Sequence, residues 1–354
     1  MKKVAVIFGG VSSEHDVSLV SAKSIIECIP KERYEVIALG ITKDGRWFKY
    51  SGKTENLPND KWLDDEKNLT PAIISPDRGG KSILLFNDNL VEKERIDVAF
   101  PVLHGKNGED GTIQGLFQLA GIPFVGCDML SSAMCMDKAV TNALADSVGI
   151  LQAEWLGIKR NEYYLNTEGF NKKAIELLGL PFFVKPANTG SSVGISKVSS
   201  KTQIKNAMQQ AFEHDEKVVI EANIEGKEVE CAVLGNDNPQ ASVVGEIVPC
   251  NDFYDYDAKY IGDSQLHIPA RIDDSKAEEI RAAALRVYSS LGCSGLSRID
   301  FFIRNSDNAV LLNEVNTIPG FTSISMYPKL FEASGISYST LLDKLITFAI
   351  EKWS

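Results

Sequence analysis

Arg298 and Asp300 stand two residues apart, and so do Glu314 and Asn316. On β-strands a period of two puts each pair on one face. If the two strands are neighbours, Asp300, Glu314 and Asn316 converge as an all-oxygen site. Hard oxygen donors suit Mg2+, an ion that commonly bridges nucleotide phosphates. Arg298 would lie beside them, placed to meet a transferring phosphoryl group. A surface ladder of cross-strand charges would use the same residue types. The run from Leu311 to Gly320 reads as largely buried, however, and a buried carboxylate needs a partner.

Three glycine-containing loops could bring substrates to such a site. Gly9-Gly10-Val11-Ser12-Ser13-Glu14-His15-Asp16 lies between a strand and a helix. Backbone N–H groups at that junction can hold an anion. The segment is not GxGxxG, which argues against a dinucleotide. Glu14 and Ser18 are four apart on one helix face, where an acid suits an ammonium group. The bland alternative has Ser13 or Asp16 capping the helix and Glu14 in water. His104-Gly105-Lys106-Asn107-Gly108-Glu109-Asp110-Gly111 follows a strand, at the end where open α/β sheets bind ligands. The run from Lys185 to Ile195 carries Gly190-Ser191-Ser192-Val193-Gly194 between two strands. A Gly/Ser hairpin tip can fold its N–H groups over phosphates while Lys185 adds charge. It lacks the ending that opens a helix in a P-loop, and a plain turn would need fewer hydroxyls.

The elements that must position these residues follow from apolar spacing. In the first third, Val4–Phe8, Tyr34–Ile41 and Asp97–Leu103 read as strands and Val17–Cys28 as a helix. That alternation predicts a parallel sheet with helices on its faces. Residues 51–95 read as irregular connections with one strand at Ile83–Phe86. A short strand at Gly121–Gly126 and one helix over Ser131–Val148 come next. Strands are then expected at Pro181–Pro186, Val193–Val198, Val218–Ile224 and Glu228–Leu234, with a helix at Thr202–Glu213. Residues 251–265 carry no convincing element, and so long a loop in a compact domain is usually functional. Asp274–Leu291 is an amphipathic helix with Ile280, Ala284, Val287 and Leu291 on one face and Asp274 as its expected N-cap. Strands Ser297–Ile303 and Val310–Val315 follow, then a helix over Ser339–Glu351.

The 354 residues suffice for two or three domains, and 44% hydrophobic with 24% charged residues is a globular mix. A net charge of −11 repels phosphate backbones and anionic lipid, which disfavours nucleic acid and membrane as partners. The apolar run after Met1-Lys2-Lys3 stops at two glycines, too soon for a signal peptide. No segment reaches the roughly 18–20 apolar residues of a membrane span. The six cysteines are scattered without a CxxC pair, which fits reduced, buried thiols in the cytoplasm.

With these groups in hand, the chain resembles the D-alanine–D-alanine ligase family of the ATP-grasp superfamily, from Val4 nearly to its end. The marks are Phe8-Gly9-Gly10 with Ser13-Glu14-His15, His104-Gly105 with Gly108-Glu109-Asp110-Gly111, and Met136-Asp137-Lys138. Gly190-Ser191-Ser192-Val193-Gly194, Tyr254-Asp255-Tyr256 with Lys259-Tyr260, and Asn313-Glu314-Val315-Asn316 with Pro319-Gly320 complete them. The resemblance implies an α/β and α+β architecture: an N-terminal Rossmann-like parallel sheet, residues 1–128, binding substrate, then a two-part ATP-grasp fold. Its central part would span 129–217 and its C-terminal part 218–354, with 251–265 as a lid.

The roles it implies are specific. ATP lies between the central and C-terminal parts. Lys138 and Lys185 bind its phosphates under Ser191 and Ser192, Glu221 meets the adenine side, and Glu228 the ribose. Asp300, Glu314 and Asn316 hold two Mg2+ ions, with Mn2+ an allowed substitute. Glu14, with Ser18 on the same helix face, takes the ammonium of the first D-alanine. Ser191 and Tyr260 hydrogen-bond with Glu14 and close the lid, and Lys259 reaches the γ-phosphate. His104, Arg298 and Ser325 lie near the reacting carboxylate or the second amino acid, and Met326 beside Ser325 touches the second substrate. The implied reaction makes D-alanyl-D-alanine through an acyl phosphate, for peptidoglycan precursors, in a cytoplasmic homodimer joined through its N-terminal part.

Relatives that accept D-serine tend to carry phenylalanine near Tyr254 and arginine at the position of Met326. Both residues here follow the D-alanine pattern. Other readings are a different ATP-grasp carboxylate–amine ligase, a non-catalytic nucleotide-binding regulator, or a dehydrogenase. Glu14, Tyr260 and Ser325 argue against the first. The intact set Arg298, Asp300, Glu314 and Asn316 argues against the second, and the missing GxGxxG against the third.

Overall fold

The computed structural model describes residues 1–88, 90–248, 265–322 and 324–353. Three sheets follow one another along the chain. The first comprises β1 (Lys2–Gly9), β2 (Tyr34–Ile41), β3 (Trp47–Tyr50), β4 (Leu69–Ile74), β5 (Ser82–Asn87), β6 (Leu90–Arg95) and β7 (Val98–Pro101). Their spatial order is β6-β5-β4-β3-β2-β1-β7. β1 is parallel to β2 and β7, with α1 (His15–Cys28) crossing over between β1 and β2.

The parallel sheet expected from the alternation is confined to these three strands. β2 through β6 are joined antiparallel. Residues 51–95, expected to be irregular apart from one strand at Ile83–Phe86, supply that strand as β5 and two more, β4 and β6. The reason these two escape a periodicity reading is exposure. β6 is mostly exposed and ends Glu92-Lys93-Glu94-Arg95, charged as edge strands are. The expected strand at Gly121–Gly126 makes only a parallel bridge between Phe124 and Ala99.

The next helices are α2 (Thr112–Ala120), α3 (Met129–Met136) and α4 (Lys138–Ser147). The single helix expected over Ser131–Val148 is thus two. Asp137 leaves the helical region at φ −85°, ψ 100°, and its carboxylate accepts from the N–H groups of Ala139 and Val140. That cap starts a new helix and fixes Lys138 at its first position.

The second sheet has β8 (Trp155–Lys159), β9 (Phe182–Pro186), β10 (Ser196–Val198) and β11 (Lys217–Ala222), antiparallel in the order β10-β9-β11-β8. α5 (Arg160–Leu165), α6 (Thr167–Leu178) and α7 (Ile204–His214) belong with it. β11 therefore falls in the middle unit, which runs to residue 222 rather than ending at 217. β10 starts later than expected because Ser191 and Ser192 are left-handed, at φ 49° and 58°.

The third sheet, also antiparallel, has β12 (Gly226–Gly235), β13 (Gln240–Val248), β14 (Gln265–His267), β15 (Gly295–Arg304) and β16 (Val310–Asn316), in the order β14-β13-β12-β15-β16. α8 (Asp274–Ser290) covers one face through Ile280, Ala284 and Val287, as its spacing requires. Its N-cap is Asp273, not Asp274. Asp273 accepts from the Lys276 N–H at 2.8 Å. α9 (Met326–Ala333) and α10 (Tyr338–Trp353) end the chain.

The cores do not map one to a sheet. Phe8, Leu19 and Ile25 of the first unit share a buried cluster with Leu234, Ile247, Phe321, Leu341 and Leu345 of the last. The middle sheet closes its own core with Phe182, Val184, Met208, Phe212 and Ile220. No helix among the described residues is long and apolar enough to cross a membrane. Cys127, Cys135, Cys231 and Cys293 are buried free thiols, whereas Cys28, expected to be buried, is exposed. Cys250 lies outside the described residues.

Candidate active site

Two of the glycine loops, 9–14 and 104–111, belong to the first unit and leave its parallel strands β1 and β7. The third, 187–195, comes from the middle unit between β9 and β10. They meet at Glu14, which is buried at 7% exposure and no solvated acid. Neither Ser13 nor Asp16 caps α1, whose N-cap position is Glu14 itself. Ser191 Oγ donates to Glu14 Oε1 at 2.5 Å. Gly105 stands at φ 69°, and a Cβ there would lie 2.3 Å from Glu14 Oε2. Only glycine leaves room for the carboxylate at that point.

Ser18 has a different place from the one its spacing suggested. It is fully buried one turn below Glu14. Its Oγ accepts from the Gly9 N–H at 2.8 Å and donates to the Val102 carbonyl, tying the ends of β1 and β7. Its proton is spent on Val102 and its side chain is closed off from solvent, so it braces the loops from below.

His104 is also buried, and its ring is engaged on both sides. Nδ1 lies 3.0 Å from the Ile318 carbonyl, which can only accept, so Nδ1 carries the proton. Nε2 then accepts from Ser21 Oγ at 3.3 Å. The sequence assigned His104 to substrate. The structure gives it a positioning role, holding the 318–325 segment against α1. Glu109 reinforces that junction, accepting from the N–H groups of Gly105 at 2.8 Å and Ile318 at 3.2 Å. Burial, then the negative charge of Glu14, pushes the Glu109 carboxyl up to about 8.

Burial lowers the His104 pKa, against an opposing pull from Glu14. The unfolded chain takes up that proton below about pH 6.5 while the folded one does not. Stability should therefore fall as pH drops through 6.5, by up to about 1.4 kcal/mol per pH unit for this one group. Melting curves between pH 7.5 and 5 should show a steeper loss in the parent than in His104→Gln. Equal slopes would show that the ring is charged in the fold.

Ser325 sits at the end of this segment, where its Oγ accepts from the Thr322 N–H at 3.0 Å. Met326, expected to touch the second substrate, is instead core. It is 5% exposed, and a Cβ on Gly245 would lie 2.5 Å from its Cε. The physical reason is that α9 opens by packing on the sheet, so its first residue points inward.

A cavity of ≈ 440 Å3 lies between the second and third sheets. Lys138 and Lys185 line it with Ser192, while Glu221 and Glu228 line its acidic wall. Lys185 Nζ lies 2.6 Å from Glu221 Oε2, and Asn142 Nδ2 donates to Glu221 Oε1 at 3.1 Å. Lys138 Nζ donates to the Thr189 carbonyl at 2.8 Å, which anchors the glycine loop. Phe183, Phe302 and Leu312 supply apolar walls that the sequence reading missed. One of them was accessible to it: Phe302 is two from Asp300 on the same strand face, whereas a bulge at residue 313 breaks the period and sets Leu312 opposite Phe301. A smaller space beside this cavity is bordered by Glu109, Lys138, Gly190, Glu314 and Asn316.

β15 and β16 are neighbours, with Asp300 opposite Glu314 and Arg298 opposite Asn316. Arg298 grips Asp300 bidentately, Nε to Oδ1 at 2.8 Å and Nη2 to Oδ2 at 2.7 Å. Its Nε also lies 3.0 Å from Oε2 of Glu230 on β12, an acid the sequence reading did not single out. Burial opposes the guanidinium's charge, but Asp300 and Glu230 outweigh it and hold its pKa well above the usual arginine value. With Glu314, whose charge also acts on Arg298, three carboxylates surround one cation and leave an excess of negative charge suited to a divalent ion. Asn316 Nδ2 donates to Asp300 Oδ2 at 2.9 Å, which leaves the amide oxygen as a further hard donor. The donor set fits Mg2+. Lys259 and Tyr260, with Tyr254 and all of the expected lid 251–265 but Gln265, lie outside the described residues.

Known proteins resemble the chain over nearly its whole length. A family model described as the D-ala D-ala ligase N-terminus matches residues 3–127, and one described as the D-ala D-ala ligase C-terminus matches residues 144–347. The chain is 53% identical to a D-alanine–D-alanine ligase of Caldicellulosiruptor bescii, over 99% of this chain and 95% of that one. It is 49% identical to one of Acetivibrio thermocellus, over 100% and 97%. Among solved structures, the VanG D-Ala:D-Ser ligase from Enterococcus faecalis superposes with a TM-score of 0.90 at 46% identity, covering 98% and 99% of the two chains. The D-alanine–D-alanine ligase from Coxiella burnetii does so with a TM-score of 0.88 at 34% identity, covering 99% and 94%. On matches that span both its halves, the chain belongs to the D-alanine–D-alanine ligase family.

Proposed function

We infer that this chain joins two D-alanines at the expense of ATP, through an acyl phosphate, and so makes a peptidoglycan precursor. The observation that carries the reading is the Ser191–Glu14 hydrogen bond, which draws the loop bordering the nucleotide cavity onto a buried acid fitted to an ammonium. The fold that serves it is a Rossmann-like substrate unit ahead of an ATP-grasp pair. Cytoplasmic placement and a homodimer through the N-terminal unit belong to the same reading.

The residues divide the work as follows. Phe183, Phe302 and Leu312 enclose the adenine, Glu221 and Glu228 face the base and ribose, and Lys138 and Lys185 draw the phosphates toward Gly190. Asp300, Glu314 and Asn316 would hold two Mg2+ ions, or Mn2+, whose charge offsets that of the phosphates. Glu14 fixes the first D-alanine by its ammonium, so that its carboxylate oxygen attacks the γ-phosphorus in line and ADP leaves. The amine of the second D-alanine then attacks the acyl carbon, and phosphate departs. Arg298 stabilises the oxyanion formed in that attack. Ser325 and the segment pinned by His104 border the acceptor side. The acyl phosphate hydrolyses in water, which gives the lid 251–265, with Lys259 and Tyr260, its purpose.

A D-serine acceptor is the second reading, favoured by the 46% identity to the Enterococcus faecalis D-Ala:D-Ser ligase. ADP release from Mg-ATP distinguishes them, measured with D-alanine alone, with D-alanine plus D-serine, and with L-alanine. Turnover with D-alanine alone and none with L-alanine is expected. A higher yield of mixed dipeptide than of D-alanyl-D-alanine would move the assignment to the D-serine branch.

A further inference from the structure

Glu230 lies on β12, directly opposite Asp300 on β15 and opposite Gly245 on β13. It is 1% exposed. An acid so deep is retained only where a cation compensates it. Its ion pair is with Arg298, whose Nε lies 3.0 Å from Glu230 Oε2 while it donates its hydrogen bond to Asp300 Oδ1 at 2.8 Å, so that Glu230 Oε2 holds the guanidinium by charge alone. The opposite residue on β13 has no side chain, so nothing at that position of β13 screens the pair.

Asp300 carries two duties that compete. Its oxygens grip the Arg298 fork, and the same oxygens belong to the hard-donor set with Glu314 and Asn316. An oxygen drawn toward a divalent ion holds a guanidinium less firmly. We propose that Glu230 is a positioning residue for the ligation reaction: it anchors Arg298 from the β12 side, so that Asp300 can serve the metal without releasing the arginine. Nε and Nη2 both donate to Asp300, with Glu230 beside Nε, and Nη1 is the remaining nitrogen through which Arg298 meets the developing oxyanion. Without Glu230 the guanidinium follows Asp300, and its aim changes whenever Asp300 shifts.

The proposal rests on the assignment of Arg298 above, so its test has one arm in turnover and one that needs no substrate. Glu230→Gln keeps the shape and removes the charge. We expect kcat to fall about 10- to 100-fold, the range seen when a group orienting a site ligand is lost, with KM for ATP within about twofold. A Glu230→Gln enzyme that turns over like the parent overturns the proposal. The second arm is a melting-temperature cycle on the ligand-free chain with Glu230→Gln, Arg298→Met and the double variant. Glu230→Gln should lower the melting temperature in the parent and raise it in the Arg298→Met background, where Glu230 would be a buried acid without its cation. The same shift in both backgrounds overturns the proposal even if turnover has fallen. If the parent itself shows no ligase turnover, the functional reading fails, and the cycle still decides whether Glu230 is the counter-ion of Arg298.

Discussion

Arg298→Ala should lower kcat by about 10²- to 10³-fold, the usual cost of removing a donor aimed at a developing oxyanion. The loss should appear in kcat rather than in KM for ATP, since the arginine is bonded to Asp300 and Glu230 and takes no part in the nucleotide cavity. The substitution should also destabilise the fold by about 3–5 kcal/mol, because it strands buried carboxylates without their cation. Activity must therefore be compared well below the melting temperature of the variant. Steady-state kinetics at two temperatures separates the effects, since a purely structural defect shrinks on cooling and a chemical one persists. Restoration of the parental rate in the cold would remove Arg298 from the chemistry.

Glu14→Gln tests the other end of the site. The carboxylate is buried and held by Ser191, with Gly105 and Gly190 leaving space around Oε2. A hydrogen bond to a charged group is worth about 1.5–3 kcal/mol, so half-saturation by D-alanine should rise about 10- to 150-fold. Half-saturation by ATP should stay within about twofold, because Glu14 is not among the residues that line the cavity between the second and third sheets. A variant with the parental D-alanine requirement would show that the ammonium is bound elsewhere.

The convergence of Arg298, Asp300, Glu314 and Asn316 was legible because two short-range patterns coincided. Arg298 with Asp300 and Glu314 with Asn316 obey the strand period, and consecutive strands usually pair. Glu230 obeys the same period but sits on β12, far back in sequence, and only the sheet order brings it beside Asp300. Met326 and Ser18 were misplaced for a related reason. Their types suited a site, but spacing along a helix does not say how deep a turn lies. Asp137 is the opposite lesson. A carboxylate able to cap a helix was in plain view within a continuous helical pattern, and capping won over continuation. In residues 51–95 half-exposed strands hid because exposure removes the apolar alternation by which strands are read.

The shared core of the first and third units changes how the molecule must be counted mechanically. Phe8, Leu19 and Ile25 pack in one cluster with Leu234, Phe321 and Leu345, which welds those two units into a single jaw. The middle sheet, closed on its own residues, is the opposing jaw, and a body with its own core moves as a unit. Lys138, Lys185 and Ser191 ride on one jaw, while Glu14, Arg298 and Asp300 ride on the other. Ser191 meeting Glu14 is then the clasp between the jaws.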